Sequence, residues 1–157
     1  MRSVETADRL LEAKRSGKTG VIKVAPYDTV EHALQLMAEK DIGAVVVTDN
    51  DKLVGLMSER DYARKVELQA GGSARTKLVR EIMTRDIIPA KPADSVETCR
   101  RLMNDNQIRH LPVCDQGRVI GVLSIRDVLD QIILQDERHI KIIEEERLQM
   151  TTSTGSY

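Results

Sequence analysis

The chain has 157 residues and a mass of 17.6 kDa, the size of one ordinary domain or of two very small ones packed together. Its 24 Lys and Arg against 25 Asp and Glu leave a net charge of −1, so no positive field draws it to nucleic acid or to an anionic membrane. Phe and Trp are absent and the aromatics are Tyr27, Tyr62 and Tyr157, which argues against a base-stacking platform and leaves a core of Val, Ile, Leu, Met and Ala.

No apolar run approaches the roughly 20 residues of a membrane span. Residues 1–15 lack the charged region, apolar stretch and small-residue cleavage site of a leader. Cys99 and Cys114 are too few for a disulfide framework, so a reducing cytoplasm is expected. His32, His110 and His139 are scattered, and no metal is expected.

Residues 1–17 are read as an N-terminal helix. Beyond them the chain repeats itself. Laying Pro26 over Pro92, an offset of 66, gives 13 identities in 36 positions without a gap, from Asp28 on Asp94 to Arg60-Asp61 on Arg126-Asp127. Residues 18–68 and 77–135 are therefore two copies, joined by a Gly/Ser-rich linker at 69–76.

Each copy opens with a short apolar strand, residues 21–24 or 87–90. Asp28-Thr29-Val30-Glu31 and Asp94-Ser95-Val96-Glu97 read as capping boxes. The helix after the first carries a core stripe of Val30, Ala33, Leu34, Met37 and Ala38; its counterpart carries Val96, Cys99, Leu102 and Met103. Two apolar runs then flank a polar turn, residues 49–52 or 115–118, which predicts a β-hairpin. A second helix starts at Ser58 or Ser124. The fold class is α+β, β-α-β-β-α twice. Units of about 60 residues have marginal cores alone, so the two are expected to pack about a pseudo-two-fold axis with a ligand cleft between them.

The segments with chemistry in them are Gly55-Leu56-Met57-Ser58-Glu59-Arg60-Asp61 and Gly121-Val122-Leu123-Ser124-Ile125-Arg126-Asp127. Ser-x-x-Asp before a helix is a capping box on one reading, worth about 1 kcal/mol. On the other, free N–H groups at the helix start face an anion, the carboxylate accepts from a ribose diol, and Arg60 and Arg126 fork onto phosphate. A Cys-His pair of Cys114 and His110 is discounted, because i, i+4 on a strand separates them by roughly 13 Å.

This doubled Gly-h-h-Ser-x-Arg-Asp, with the strand-Pro-x-Asp opening and Ile108-Arg109-His110-Leu111-Pro112-Val113, resembles the CBS domains, which occur as tandem pairs (Bateman modules). The resemblance spans about residues 18–135. It implies an adenosine-nucleotide ligand, with ribose on Asp61 and Asp127 and phosphate near Ser58, Ser124, Arg60 and Arg126. It implies adenine among Ile22, Ala44, Val45, Leu56 and Met57 in one copy. In the other the same role falls on Ile88, His110, Leu111, Val122 and Leu123. The copies differ where Arg109-His110 replaces Gly43-Ala44. Phosphate contacts are expected from the former and room for a base from the latter, the alternative being that Arg109 and His110 start a solvated edge strand. AMP at each site, or NAD(H) across both, fits such a pocket.

The apolar stripe of the last helix, from Ile125 and Val128 to Ile140 and Ile143, outlasts its domain; residues 136–157 are expected to form an extended helix whose end, from 151, is disordered. A solvated tail and an interface helix both fit that stripe. Since related pairs dimerise through helices, a homodimer is expected, along with a regulated protein reached in trans. No catalytic machinery is visible, so the chain is not expected to be an enzyme. A ligand-free interaction scaffold is the alternative, and a nucleotide-hydrolysing enzyme the remoter one.

Overall fold

The computed structural model describes residues 5–14, 20–69 and 71–153. Helix α1 (Ala7–Lys14) leads into a first repeat of β1 (Lys23–Val24), α2 (Val30–Lys40), β2 (Ala44–Asp49), β3 (Lys52–Ser58) and α3 (Glu59–Tyr62). The last of these widens into a π-helical turn, Ala63–Glu67, in which the Leu68 N–H reaches back to the Ala63 carbonyl. A short helix, α4 (Val79–Ile82), precedes the second repeat of α5 (Val96–Asn106), β4 (His110–Asp115), β5 (Arg118–Ser124) and α6 (Ile125–Ser153).

The hairpins match in length, register and irregularity. Both place a bulge at the same point, between Val47 and Thr48 and between Val113 and Cys114. Both turn through two residues of positive φ, Asn50 and Asp51 in one and Gln116 and Gly117 in the other, whose backbone twist suits the strands on either side. In α2 and α5 the N-caps are Thr29 and Ser95, each accepting from the N–H three residues on. Asp28 and Asp94 sit one residue earlier and accept instead from the Ala25 and Lys91 N–H groups, both at 2.8 Å, so the capping boxes expected there do not form. Ala38, expected on the core stripe, is exposed, while Leu34 and Leu102 are partly buried.

The opening strand survives in one repeat only. β1 pairs parallel with β2, and the Val46 N–H bonds to the Ile22 carbonyl. The counterpart of Val46 is Pro112, which has no N–H to offer Ile88. The second repeat is left with a two-stranded sheet and a single bridge from Ala90 to Val113. Ile88 consequently turns outward, 60% exposed.

What joins the halves is an exchange of segments. The Ala7 and Asp8 N–H groups bond to the carbonyls of Asp94 and Pro92, and the Glu5 carbonyl accepts from Val96, so the stretch before repeat one lies along repeat two. The Val79 and Arg80 N–H groups bond in the same way to Asp28 and Pro26, and the Lys77 carbonyl accepts from Val30. Leu10 and Leu11 thereby complete the second core with Leu111, Val113 and Leu123, while Val79, Ile82 and Met83 complete the first with Val45, Val47 and Met57. Burying each such side chain contributes about 1.5–3 kcal/mol.

Two glycines mark the seams. A Cβ on Gly121 would lie 2.5 Å from Leu11 Cδ2, and one on Gly55 would lie 2.7 Å from Met83 Sδ and 2.9 Å from the Thr84 carbonyl oxygen. Gly55→Ala should therefore cost about 1–3 kcal/mol, and Gly121→Ala less, because a leucine side chain yields more readily than a carbonyl. Urea unfolding of the two variants checks the order; equal costs would contradict it.

Candidate functional site

Both Ser-x-x-Asp motifs fold as the capping box. The Ser58 N–H donates to Asp61 Oδ2 (2.9 Å) and the Asp61 N–H to Ser58 Oγ (3.1 Å); Ser124 and Asp127 repeat this at 2.8 and 3.1 Å. The N–H of Glu59 goes to the Gly43 carbonyl and that of Ile125 to the Arg109 carbonyl. Three N–H groups at each helix start are thus spent within the chain, which corrects the expectation of a free amide cluster awaiting an anion. What the box leaves available is carboxylate.

Asp61 keeps its second oxygen for other partners. Oδ1 accepts from the Lys65 ammonium at 3.1 Å and the Thr84 hydroxyl at 3.2 Å, and the side chain is 12% exposed. It lines a cavity of about 890 Å³ between the repeats. The first repeat contributes Gly43, Leu56, Ser58, Arg60, Arg64 and Lys65, and the second Arg100, Ile108, Arg109, His110 and Ile125. Four guanidinium groups and one ammonium line the cavity with two carboxylates, the largely covered Asp61 and the exposed Glu59, a surplus of positive charge within a chain of net charge −1.

A second cavity, about 830 Å³, shares Gly43, Arg109, His110 and Ile125 with the first and adds Ile22, Ala44, Val122, Ser124 and Arg126. Asp127 does not line it. Lys14 at the end of α1 stands in the way, donating to Asp127 Oδ2 at 2.9 Å and to the Val122 carbonyl at 3.1 Å. The expected single cleft is therefore two cavities that share a wall, one lined by its acid, Asp61, and one whose acid, Asp127, stands behind Lys14.

Among the residues expected to hold adenine, Leu56, Ile22, Ala44, Val122 and His110 reach these cavities. Val45, Met57, Leu111 and Leu123 are each 0% exposed, so their side chains belong to the half-cores, and Ile88 lines neither cavity. The His110 ring lies over Gly43, its Cε1 and Nε2 3.5 Å from where a Cβ would stand, an ordinary van der Waals contact. Lys14, Lys65, Thr84 and Arg100 were not expected. Lys65 had a signal, four residues after Asp61 on a helix; Lys14 had none, since the exchange of segments sets its place.

Burial first, then the Lys14 ammonium and Arg109, push the His110 imidazole below its ordinary value against the pull of Asp127. At neutral pH it is an uncharged hydrogen-bonding group. Burial resists ionisation of Asp127, yet Lys14 and the Ser124 N–H outweigh it and hold the carboxyl below the usual range. Burial pushes the Cys99 thiol up to about 11 and also raises Cys114, so neither is a ready nucleophile. No cluster of metal-ligating side chains occurs among the described residues, and no helix there is long and apolar enough to cross a membrane.

The CBS domain family model matches residues 18–68 and 79–134, and the chain belongs to that family as a tandem pair. It is 33% identical to CBS domain-containing protein YhcV of Bacillus subtilis over 110 residues, 70% of this chain and 77% of that one. It is 36% identical to the mitochondrial CBS domain-containing protein CBSX3 of Arabidopsis thaliana over 119 residues, 73% of this chain but 57% of that longer one. A solved CBS-domain protein from Burkholderia ambifaria MC40-6 superposes with a TM-score of 0.76 at 42% identity, covering 83% of this chain and 95% of that chain. A CBS pair is a regulatory module; the match to the inosine-5′-monophosphate dehydrogenase of Methanocaldococcus jannaschii spans only 21% of that enzyme.

Because the folded-state pKa of Asp127 is depressed, its stabilisation is present above the unfolded value of about 3.9 and fades as pH falls through the folded one. Lys14→Met should move the Asp127 carboxyl titration upward, so that this stabilisation is lost from a higher pH. Carboxyl-carbon NMR titration reads the shift directly; an unchanged curve would show that Lys14 does not hold the acid.

Proposed function

We propose that the cavity beside Asp61 binds an adenosine nucleotide, AMP, ADP, ATP or NAD(H), and that its occupancy is passed in trans to a partner protein. The observation that carries this is a carboxylate lining a cationic cleft with one oxygen fixed by its own capping box and the other held by two displaceable groups. A ribose diol takes over Asp61 Oδ1 from Lys65 and Thr84. The released Lys65, with Arg60 and Arg109, then faces the phosphates. Leu56, Ile108 and Ile125 offer the base an apolar wall.

The second cavity plays the lesser part in this reading. A lysine must be displaced at either acid, but Asp61 already lines its cavity whereas Asp127 does not line the second, so the Asp61 cavity fills first. One observation favours a scaffold without ligand: each acid already has a lysine of the same chain. Titration calorimetry with AMP, ADP, ATP, NAD, NADH and S-adenosylmethionine separates the two readings. The nucleotide reading expects saturable binding weakened at least about tenfold by Asp61→Asn, the loss of one charge-assisted bond, and less by Asp127→Asn. No binding by any of the six, or binding indifferent to Asp61, would leave the scaffold standing.

A further inference from the structure

Only the first turns of α6 pack on the second core, through Val128 and Ile132. From residue 136 to 151 the helix is exposed all round, yet its sequence is not that of a solvated rod. Ile133, Ile140 and Ile143 are 54, 55 and 43% exposed and share one stripe with Asp136, Arg147 and Met150. The spacings are three and four in alternation, the a and d positions of a heptad seam, over roughly 26 Å of helix.

We propose that this seam pairs antiparallel with α6 of a second copy of the chain, in one register. The surface goes beyond the nucleotide reading and does not depend on it. In an antiparallel pair each a position faces a d position of its partner. Centred between residues 141 and 142, the pairing sets Ile140 on the partner's Ile143 and Ile133 on the partner's Met150. It also sets Asp136 on the partner's Arg147. Two-fold symmetry doubles each layer, so both mixed-charge layers are complementary.

The charges exclude the other arrangements. A parallel pair stacks Asp136 on its own copy and Arg147 likewise, two like-charge layers. Sliding the antiparallel pair by one heptad sets Asp136 against Ile140 and Arg147 against Leu129; sliding it the other way sets Arg147 against Ile143. Each of these buries a charge without its opposite. Leu134, Ile142 and Leu148 are also exposed on this helix and lie off the stripe, so the charge pattern, not apolar exposure alone, picks out the seam and its register.

Sedimentation equilibrium of the full chain tests the register. The wild type is expected to dimerise with concentration. Asp136→Arg turns both mixed layers into Arg–Arg and Arg147→Asp turns them into Asp–Asp, so each should weaken self-association at least about tenfold. The double variant D136R/R147D restores complementarity and the dimer, as does an equimolar mixture of the two single variants. Both positions are exposed, and circular dichroism checks that folding is intact. A wild type that stays monomeric to its solubility limit, single variants that dimerise as it does, or a double variant that does not recover would each overturn the proposal.

Discussion

The fold depends on the segment that precedes each repeat lying along the other one. Each repeat supplies a hairpin and one long helix, which leave a hydrophobic face uncovered on a unit too small to close its own core. Leu10 and Leu11 close the second core and Val79, Ile82 and Met83 the first. The two straps use the same backbone contacts, Ala7 and Asp8 on one side and Val79 and Arg80 on the other. A loss of either strap opens the half that is distant in sequence, so stability is shared between the repeats.

The same exchange sets the two acids apart. In the first repeat the strap ends beside Asp61 with a hydroxyl, Thr84, and the ammonium comes from within α3's own turn. In the second the strap is α1, and it brings an ammonium, Lys14, directly onto Asp127. Two copies with the same capping box therefore offer unequal sites. Pseudo-symmetry fixes where the carboxylates stand, and the straps fix what they can accept.

Much of this was legible in the chain. A gapless offset of 66 exposed both copies, and the residues of each polar turn announced the hairpins, since Asn50, Asp51 and Gly117 tolerate the positive φ that a tight two-residue turn needs. Ser58, Asp61, Ser124 and Asp127 stood out because the same Ser-x-x-Asp recurs at that offset. The straps were not legible, because the stretch from Glu5 to Glu12 shares no identity with Lys77 to Thr84, and their common job is done by backbone groups. Nor did the apolar strand residues reveal which side each faces. Val45 and Met57 serve the core and Leu56 the cavity, a difference set by the pleat and by packing, which a run of like residues conceals. The shift of the N-cap from Asp28 to Thr29 had a similar cause, two good capping residues side by side competing for one position.

The most direct test of the exchanged straps is amide hydrogen exchange on the chain lacking residues 1–14. If α1 closes the second core, amides of β4 and β5 lose protection while those of β2 and β3 largely keep theirs. Protection in β4 and β5 equal to that of the full chain, or a loss confined to the first repeat, would contradict the account.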